Sequence, residues 1–420
     1  MAPSPPDVAR VVGRIGVLSF GGPAAQIALM HHELVERQRW LSEAEFLSAL
    51  SFCMLLPGPE AMQLATWCGW KVQGLRGGLV AGLLFVLPGA AIVLALAVVY
   101  GAFGQVPLVR ALFQGVQAAV VVIVFEALLR VARRAVTRPL HRAIAGLAFV
   151  ALFAFNLPFP LVVLTAGLAG VGLAARGASG VPAPAPPPGL WRQTLRTVVI
   201  WGLIWLLLLA ALWLVEGGLL FQIGWFFAKL AVVTFGGAYA VLAWMAQAVV
   251  AEQGWLSLPQ MIDALGLAET TPGPLILVTE FVAYLAAQQA GGIGFGIAAA
   301  GVTLWMTFAP CFLWIFAGAP HLERLAHAPR LAAALRGITA AVVGVIANLA
   351  LWFAAHVAFD RVATLSFGPL HLIAPEWASL NPLSLALGGL AAVLILRRHW
   401  GLPATLCLCA ALSAAPALIG

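Results

Sequence analysis

The sequence predicts an all-α polytopic membrane protein made of two inverted-topology repeats with broken or re-entrant helices. Three observations carry that prediction: an apolar composition, a set of motifs that occurs twice in one register, and basic residues clustered on alternate connections.

Composition sets the class. Of 420 residues, 63% are hydrophobic and 9% are charged, whereas a soluble globular chain carries about 25% charged residues. So few charges cannot cover a water-facing surface. Several apolar runs reach the roughly 20 residues that a helix needs to cross a hydrocarbon core. The 15 Trp suit interfacial anchors at helix ends. Long runs without short alternating strands favour helices over a closed barrel. The formal charge of +7 is spread over short loops, which reads as topology control and not as a nucleic-acid footprint. The expected partner is the lipid bilayer. No Lys/Arg-led apolar core with a small-residue cleavage site opens the chain, so no cleaved signal peptide is expected. Cys53, Cys68, Cys311, Cys407 and Cys409 sit in apolar segments without metal or redox spacing, and read as small core residues. The histidines likewise lack ligand spacing, so no metal is expected.

The motifs recur across a Pro-rich linker. Residues 176–190 contain Val-Pro-Ala-Pro-Ala-Pro-Pro-Pro, a composition that favours an extended spacer. It separates an N-terminal repeat, 1–175, from a C-terminal repeat, 191–420, that carries one extra leading helix. At a constant offset of 215 residues, Phe20-Gly21-Gly22 returns as Phe235-Gly236-Gly237, Trp40-Leu41-Ser42 as Trp255-Leu256-Ser257, and Pro57-Gly58-Pro59 as Pro272-Gly273-Pro274. Farther on, an offset of 222 aligns Ala118-Ala119-Val120-Val121 with Ala340-Ala341-Val342-Val343. Shared Leu and Ala can arise from composition alone. Shared Gly-Gly, Trp-Leu-Ser and Pro-Gly-Pro in one register cannot.

Charge supplies the orientation. Basic clusters fall at Lys71/Arg76, Arg130–Arg142, Arg176–Arg196, Arg324/Arg330 and Arg397/Arg398, whereas the connections at 101–107, 156–158, 216–222 and 288–292 have no Lys or Arg. The apolar runs 78–101, 108–130, 141–155, 159–175, 197–215, 293–318, 331–356, 383–396 and 401–418 then alternate sides, with Arg361 the exception in an outer loop. The N-terminus is expected in the cytoplasm. The extra run at 197–215 makes the second repeat start outside, so the repeats are expected to be inverted, as in many secondary transporters. Two further segments per repeat, near 11–34 and 42–70 in the first, are each interrupted. Each reads as a re-entrant hairpin or as a crossing with a break, for a total of nine or about 13 crossings. Arg37 and Arg39 between them lean toward hairpins.

The interruptions are where chemistry is expected. Pro57-Gly58-Pro59 and Pro272-Gly273-Pro274 remove backbone donors and end a helix at the first proline. The second proline suits the first turn of a new helix, whose free N–H groups would open inside the membrane and favour an anion. Gly21-Gly22-Pro23 and Gly236-Gly237 let the chain turn or a ligand approach. The competing reading is a packing kink. Arg14 and Lys229 occupy equivalent positions six residues before Phe-Gly-Gly, and a cation facing such a helix end would hold a divalent oxyanion. Alternatively, Arg14 is a topology charge. Glu60, Glu269, Glu280 and Glu126 are candidate proton carriers, since desolvation raises a buried carboxyl toward neutrality. Glu60 also suits a plain helix-dipole partner. Gln26, Gln63, Tyr239, Thr270 and Thr271 add neutral hydrogen-bonding groups beside the breaks, or serve interhelical packing.

Ser19-Phe-Gly-Gly-Pro23, Leu56-Pro-Gly-Pro-Glu60 with Gln63-Leu-Ala, and Phe85-Val-Leu-Pro-Gly89 resemble the first half of the chromate ion transporter (CHR) family. Thr234-Phe-Gly-Gly-Ala-Tyr239 and Gly266-Leu-Ala-Glu-Thr-Thr-Pro-Gly-Pro274 resemble its second half. The resemblance covers nearly the whole chain and matches the long, two-domain members. It implies a bacterial inner-membrane carrier that exports chromate under the proton motive force, with sulfate as the analogous tetrahedral dianion. The alternatives are a sulfate or other oxyanion carrier and, from another class, a membrane-embedded redox enzyme. No dinucleotide, haem, iron–sulfur or P-loop motif is present, so neither a cofactor nor an enzymatic role is expected. A homodimer is left open. On this reading Arg14→Ala or Lys229→Ala is expected to abolish transport.

Overall fold

A computed structural model describes residues 4–20, 22–174, 189–215, 217–235, 238–322 and 329–419. Gly21, Gly236, Gly237 and most of the predicted linker lie outside the described residues. The described chain is all-α apart from one hairpin, and the nine apolar runs all form helices. It is a multi-pass membrane protein.

The chain groups into two compact units, each drawing on both sequence halves. The first unit holds residues 1–98, 178–238 and 271–332. Its elements begin with α1 (Pro5–Leu18), α2 (Gly22–His31), which runs into a π-helical turn (His32–Arg37), and α3 (Glu43–Cys53). Most of α4 (Glu60–Phe103), then α8 (Leu190–Val215), α9 (Leu219–Val233) and α12 (Val278–Gly318) complete it.

Both long helices are really hairpins. In α4 the backbone leaves helical geometry at Gln73 and Gly74 (φ 64°). The two arms then pack so tightly that a Cβ on Gly69 would overlap the carbonyl oxygen of Gly77. In α12 the same turn falls at Gly292 (φ 80°). Glycine is required at both turns because an L side chain is strained at positive φ.

The interrupted segments of the first half return to the face they left. Val8, at the start of α1, shares a cluster with Trp40, beyond the π-helical turn, and with Val72, at the α4 turn. At 14 residues, α1 is about 21 Å long, short of a crossing. Both segments therefore fold back on themselves, bringing their ends to one cluster.

The second unit holds residues 99–177, 239–270 and 333–420. It contains α5 (Pro107–Ala135), α6 (Pro139–Phe153), α7 (Phe159–Ala174), α10 (Ala238–Gln247, mostly here) and α11 (Leu258–Thr270). Most of α13 (Pro329–Ala358), then β1 (Val362–Phe367), β2 (Leu370–Pro375), α14 (Pro382–Ala392) and α15 (Leu402–Ile419) follow. α5 packs against α15, α14 and α11. Five helical segments among the described residues are long and apolar enough to cross a membrane. α6, α7, α14 and α15 fall short of the roughly 20 residues of a standard span.

The β-hairpin departs from the expectation of helices alone. Val362–Phe367 pairs antiparallel with Leu370–Pro375 around Gly368 (φ 59°). Its alternating Ala-Thr-Leu-Ser-Phe pattern was legible, but it lies in a short connection between two strong apolar runs. The hairpin is anchored by the His371 N–H donating to the Ala154 carbonyl, 2.8 Å.

Candidate functional site

The breaks meet inside the first unit, joined backbone to backbone. The Gly58 N–H donates to the Thr234 carbonyl at 2.8 Å, and the Gly273 N–H donates to the Ser19 carbonyl at 2.9 Å. Each Pro-Gly-Pro is thus hydrogen-bonded to the end of the helix that precedes Phe-Gly-Gly in the opposite half. Those helix ends are themselves built alike. Ser19 Oγ donates to the Ile15 carbonyl and Thr234 Oγ1 to the Leu230 carbonyl, both at 2.6 Å. Both central glycines have positive φ, 115° at Gly58 and 91° at Gly273, which lets the chain turn between two prolines.

Two amides lock the breaks, and both belong to the first half. Gln26 Nε2 donates to the carbonyls of Gly273 (2.7 Å) and Ser19 (3.3 Å). Gln63 Nε2 donates to the Pro57 carbonyl at 2.6 Å. Both side chains are buried, and the other atom of each amide, Oε1, has no hydrogen-bond partner among the described residues. The second arms of α4 and α12 close the site. A Cβ on Gly89 would overlap the Pro272 carbonyl oxygen, and one on Gly58 would stand 3.0 Å from Cys311 Sγ.

Polar groups extend from the breaks along α12. Glu280 is 1% exposed and its Oε2 has no hydrogen-bond partner among the described residues; the same holds for Thr303 Oγ1 and Thr307 Oγ1 on the second arm. An unpaired buried polar group costs free energy, so such a set marks a place where water or a ligand completes the bonding. Glu60 opens α4 and is half-buried, whereas Leu275 holds the matching position and is buried. The second break, Thr271–Pro274, is buried more completely than the first.

The other proposed carboxylates gather in the second unit. Tyr239 OH donates to Glu269 Oε1 at 2.8 Å. Arg130 pairs with Glu126 at 2.7 Å, one helical turn apart on α5, and both are close enough to act electrostatically on Glu269. The Thr270 hydroxyl donates to the Leu267 carbonyl and so caps its own helix. Asp263, which the sequence reading did not single out, is 4% exposed and accepts from Tyr100 OH (2.6 Å) and Gln117 Nε2 (2.8 Å).

Arg14 and Lys229 are placed differently from the expectation of cations aimed at the breaks. Both are exposed. α1 buries Val8, Val12, Ile15 and Gly16, and Arg14 is on the other face. Lys229 Nζ lies 5.7 Å from the Trp225 ring centroid, a cation–π contact along its own helix. Gly22 and Pro23, which open α2, are half-buried.

A family model described as chromate transporter matches residues 6–171 and 221–414. The chromate transport protein of Cupriavidus metallidurans is 32% identical over 336 residues, covering 79% of this chain and 78% of its own length. A probable chromate transport protein of Synechococcus elongatus is 32% identical over 335 residues, 80% of this chain and 81% of that protein. The chromate transport protein of Pseudomonas aeruginosa is 32% identical over 376 residues, 84% and 82% of the two chains. No solved structure matches.

Proposed function

This chain belongs to the chromate transporter family, and from that premise we propose that it is a secondary carrier that exports chromate across the bacterial inner membrane, driven by the proton motive force. The observation that supports this reading most is the reciprocal pairing of breaks, Gly58 with Thr234 and Gly273 with Ser19. Broken backbone in a membrane protein persists only where protein buries it or where it lines a cavity. Here it sits beside unsatisfied polar side chains, which packing alone does not require.

The two breaks have unequal roles in this proposal. After Pro274 the position matching Glu60 is Leu275, and the acid in the first turn of α12, Glu280, is buried; with Glu280 protonated, the free N–H groups and dipole there suit a tetrahedral dianion. At the other start, Glu60 supplies a carboxylate that competes with an incoming dianion while ionised and stops competing once protonated. That exchange couples proton uptake to anion movement without any fixed cation. The proposed cytoplasmic N-terminus and opposed repeats place the two helix starts on opposite approaches to one site. Hydroxyls and amides recognise tetrahedral oxygen geometry and do not separate chromate from sulfate, so a sulfate or related oxyanion carrier is the second reading. The relatives' names as transport proteins support a carrier over a redox enzyme.

The test is flux into proteoliposomes of purified protein, with labelled chromate and sulfate, with and without an imposed pH gradient. Gradient-driven chromate movement is expected. Equal flux with and without a gradient overturns the coupling, and movement of neither anion overturns the carrier reading.

A further inference from the structure

A cavity of about 230 Å³ opens in the second unit under the β-hairpin. Asn156, Gln247, Asn348, Thr364 and His371 supply its polar lining, and Trp352 and Leu349 part of its apolar wall. None of the lining residues is a Lys or Arg, so nothing there offers a fixed positive charge to a dianion. It is instead well suited to several waters. Gln247 Nε2 donates to Asn156 Oδ1 at 2.6 Å, and Ser366 holds His371 Nδ1 at 3.0 Å, which fixes the rim.

A second, much smaller cavity of about 10 Å³ lies at Tyr239 and Glu269, room for about one water. Leu349 lines both cavities and is itself 4% exposed. Asn348 lines the large cavity one residue earlier. Along α10, Gln247 at the large cavity and Tyr239 at the small one are eight residues apart, about 12 Å of helix. Beyond Glu269 stand Glu126 and Arg130 on α5, and Arg133 and Arg134 end that helix on the basic side. The polar groups thus form a series across the unit, interrupted by one buried leucine.

We propose that the second unit is a proton conduit, in which water in the hairpin-covered cavity delivers protons past Leu349 to the Glu269–Tyr239 pair. Resting on the proton-coupled reading above, it adds the route and its gate. A proton arriving by water binds a Glu269 carboxylate oxygen, while Tyr239 keeps its own proton and orients the group. Release goes to the Glu126 carboxylate, which Arg130 holds by an ion pair on α5. Tyr239 from α10 bonds Glu269, Glu126 and Arg130 from α5 act on it electrostatically, apolar residues that include Leu349 from α13 line the rest of its cavity, and His371 is the titratable group in the larger cavity. Leu349 keeps the two cavities apart until the helices shift, so the resting protein does not leak.

Two measurements on the full-length protein test this. In a Cys407→Ser background, Asn348→Cys is expected to react with a membrane-impermeant thiol reagent from the side opposite to that which labels Arg138→Cys. In proteoliposomes without substrate, Leu349→Ala is expected to raise passive proton entry several-fold, read by an internal pH dye. No labelling of Asn348→Cys, or labelling only from the Arg138 side, overturns the conduit whatever the transport assay gives. A Leu349→Ala protein as proton-tight as wild type overturns the gate. Glu269→Gln separates the two levels: flux that still follows the pH gradient removes Glu269 as the proton's destination, whereas loss of that response with the labelling intact supports both.

Discussion

Lys71 Nζ lies 3.1 Å from Glu45 Oε1, so the chain that starts inward near Glu45 and breaks at Pro57-Gly58-Pro59 returns to the same face by Lys71. A crossing segment would put these two residues on opposite sides of the bilayer. Cysteines placed at 45 and 71 are therefore expected to react with an impermeant thiol reagent from one side only, and from the same side. Labelling from opposite sides would show a crossing. The ion pair itself is half-exposed and contributes about 0–1 kcal/mol, so Lys71→Ala is expected to leave flux and melting temperature unchanged.

Gln26 and Gln63 are expected to matter more than any exposed charge. Gln26→Leu strands the buried Gly273 carbonyl, and Gln63→Leu strands that of Pro57. A buried polar group left without its partner costs about 1–3 kcal/mol, or about one to two powers of ten in an equilibrium. The expected result is a lower thermal midpoint in detergent and a loss of chromate flux of that order. Wild-type flux in both variants would mean that the breaks are held by backbone contacts alone.

The glycines at the two breaks give a sharper contrast. At Gly58 a Cβ would stand 2.8 Å from Gln63 Nε2, and at Gly273 2.9 Å from Leu277 Cδ1, and both positions have positive φ. Alanine there adds strain of about 1–3 kcal/mol. Gly146, inside α6, has nothing within 4 Å of the same position. Gly58→Ala and Gly273→Ala are expected to reach the membrane and lose transport, and Gly146→Ala to keep both. The comparison is made by surface-expressed amount and flux per molecule.

Much of this arrangement was legible in the sequence because it follows from backbone chemistry. Pro-Gly-Pro cannot continue a helix wherever it occurs, and the apolar runs carry their helices whatever packs around them. Side-chain direction was harder to read. The spacing of Val8, Val12 and Ile15 marks the buried face of α1 and puts Arg14 off it, whereas the match of Arg14 to Lys229 carries equivalence and no direction. Asp263 carries no repeat signal, since the offset of 215 sets it against Ser48, and only the fold brings Tyr100 and Gln117 to it. The pairing of Gly58 with Thr234 was not readable at all, since it depends on how two distant segments dock.

Arg14 and Lys229 now carry a different expectation. Both are exposed, and Lys229 already has the Trp225 ring beside it, so neither is committed to the breaks. Arg14→Ala and Lys229→Ala are expected to keep flux close to wild type, since exposed substitutions away from special features usually change stability by about 0.5 kcal/mol or less. Abolished flux with normal membrane insertion in both would return these cations to the anion's path.

Asp263 and Glu280 are both buried acids, and their surroundings predict opposite behaviour. Asp263 accepts two hydrogen bonds, from Tyr100 and Gln117, and a buried donor left without its partner costs about 1–3 kcal/mol. Asp263→Leu loses both and strands two donors, so it is expected to lower the melting temperature sharply. Glu280 has an oxygen with no partner among the described residues, so Glu280→Gln keeps its shape and gives up little bonding. That variant is expected to melt with the wild type yet show a flattened dependence of flux on the pH gradient. If Glu280→Gln instead unfolds and Asp263→Leu does not, the buried acid beside the breaks is structural and takes no part in proton coupling.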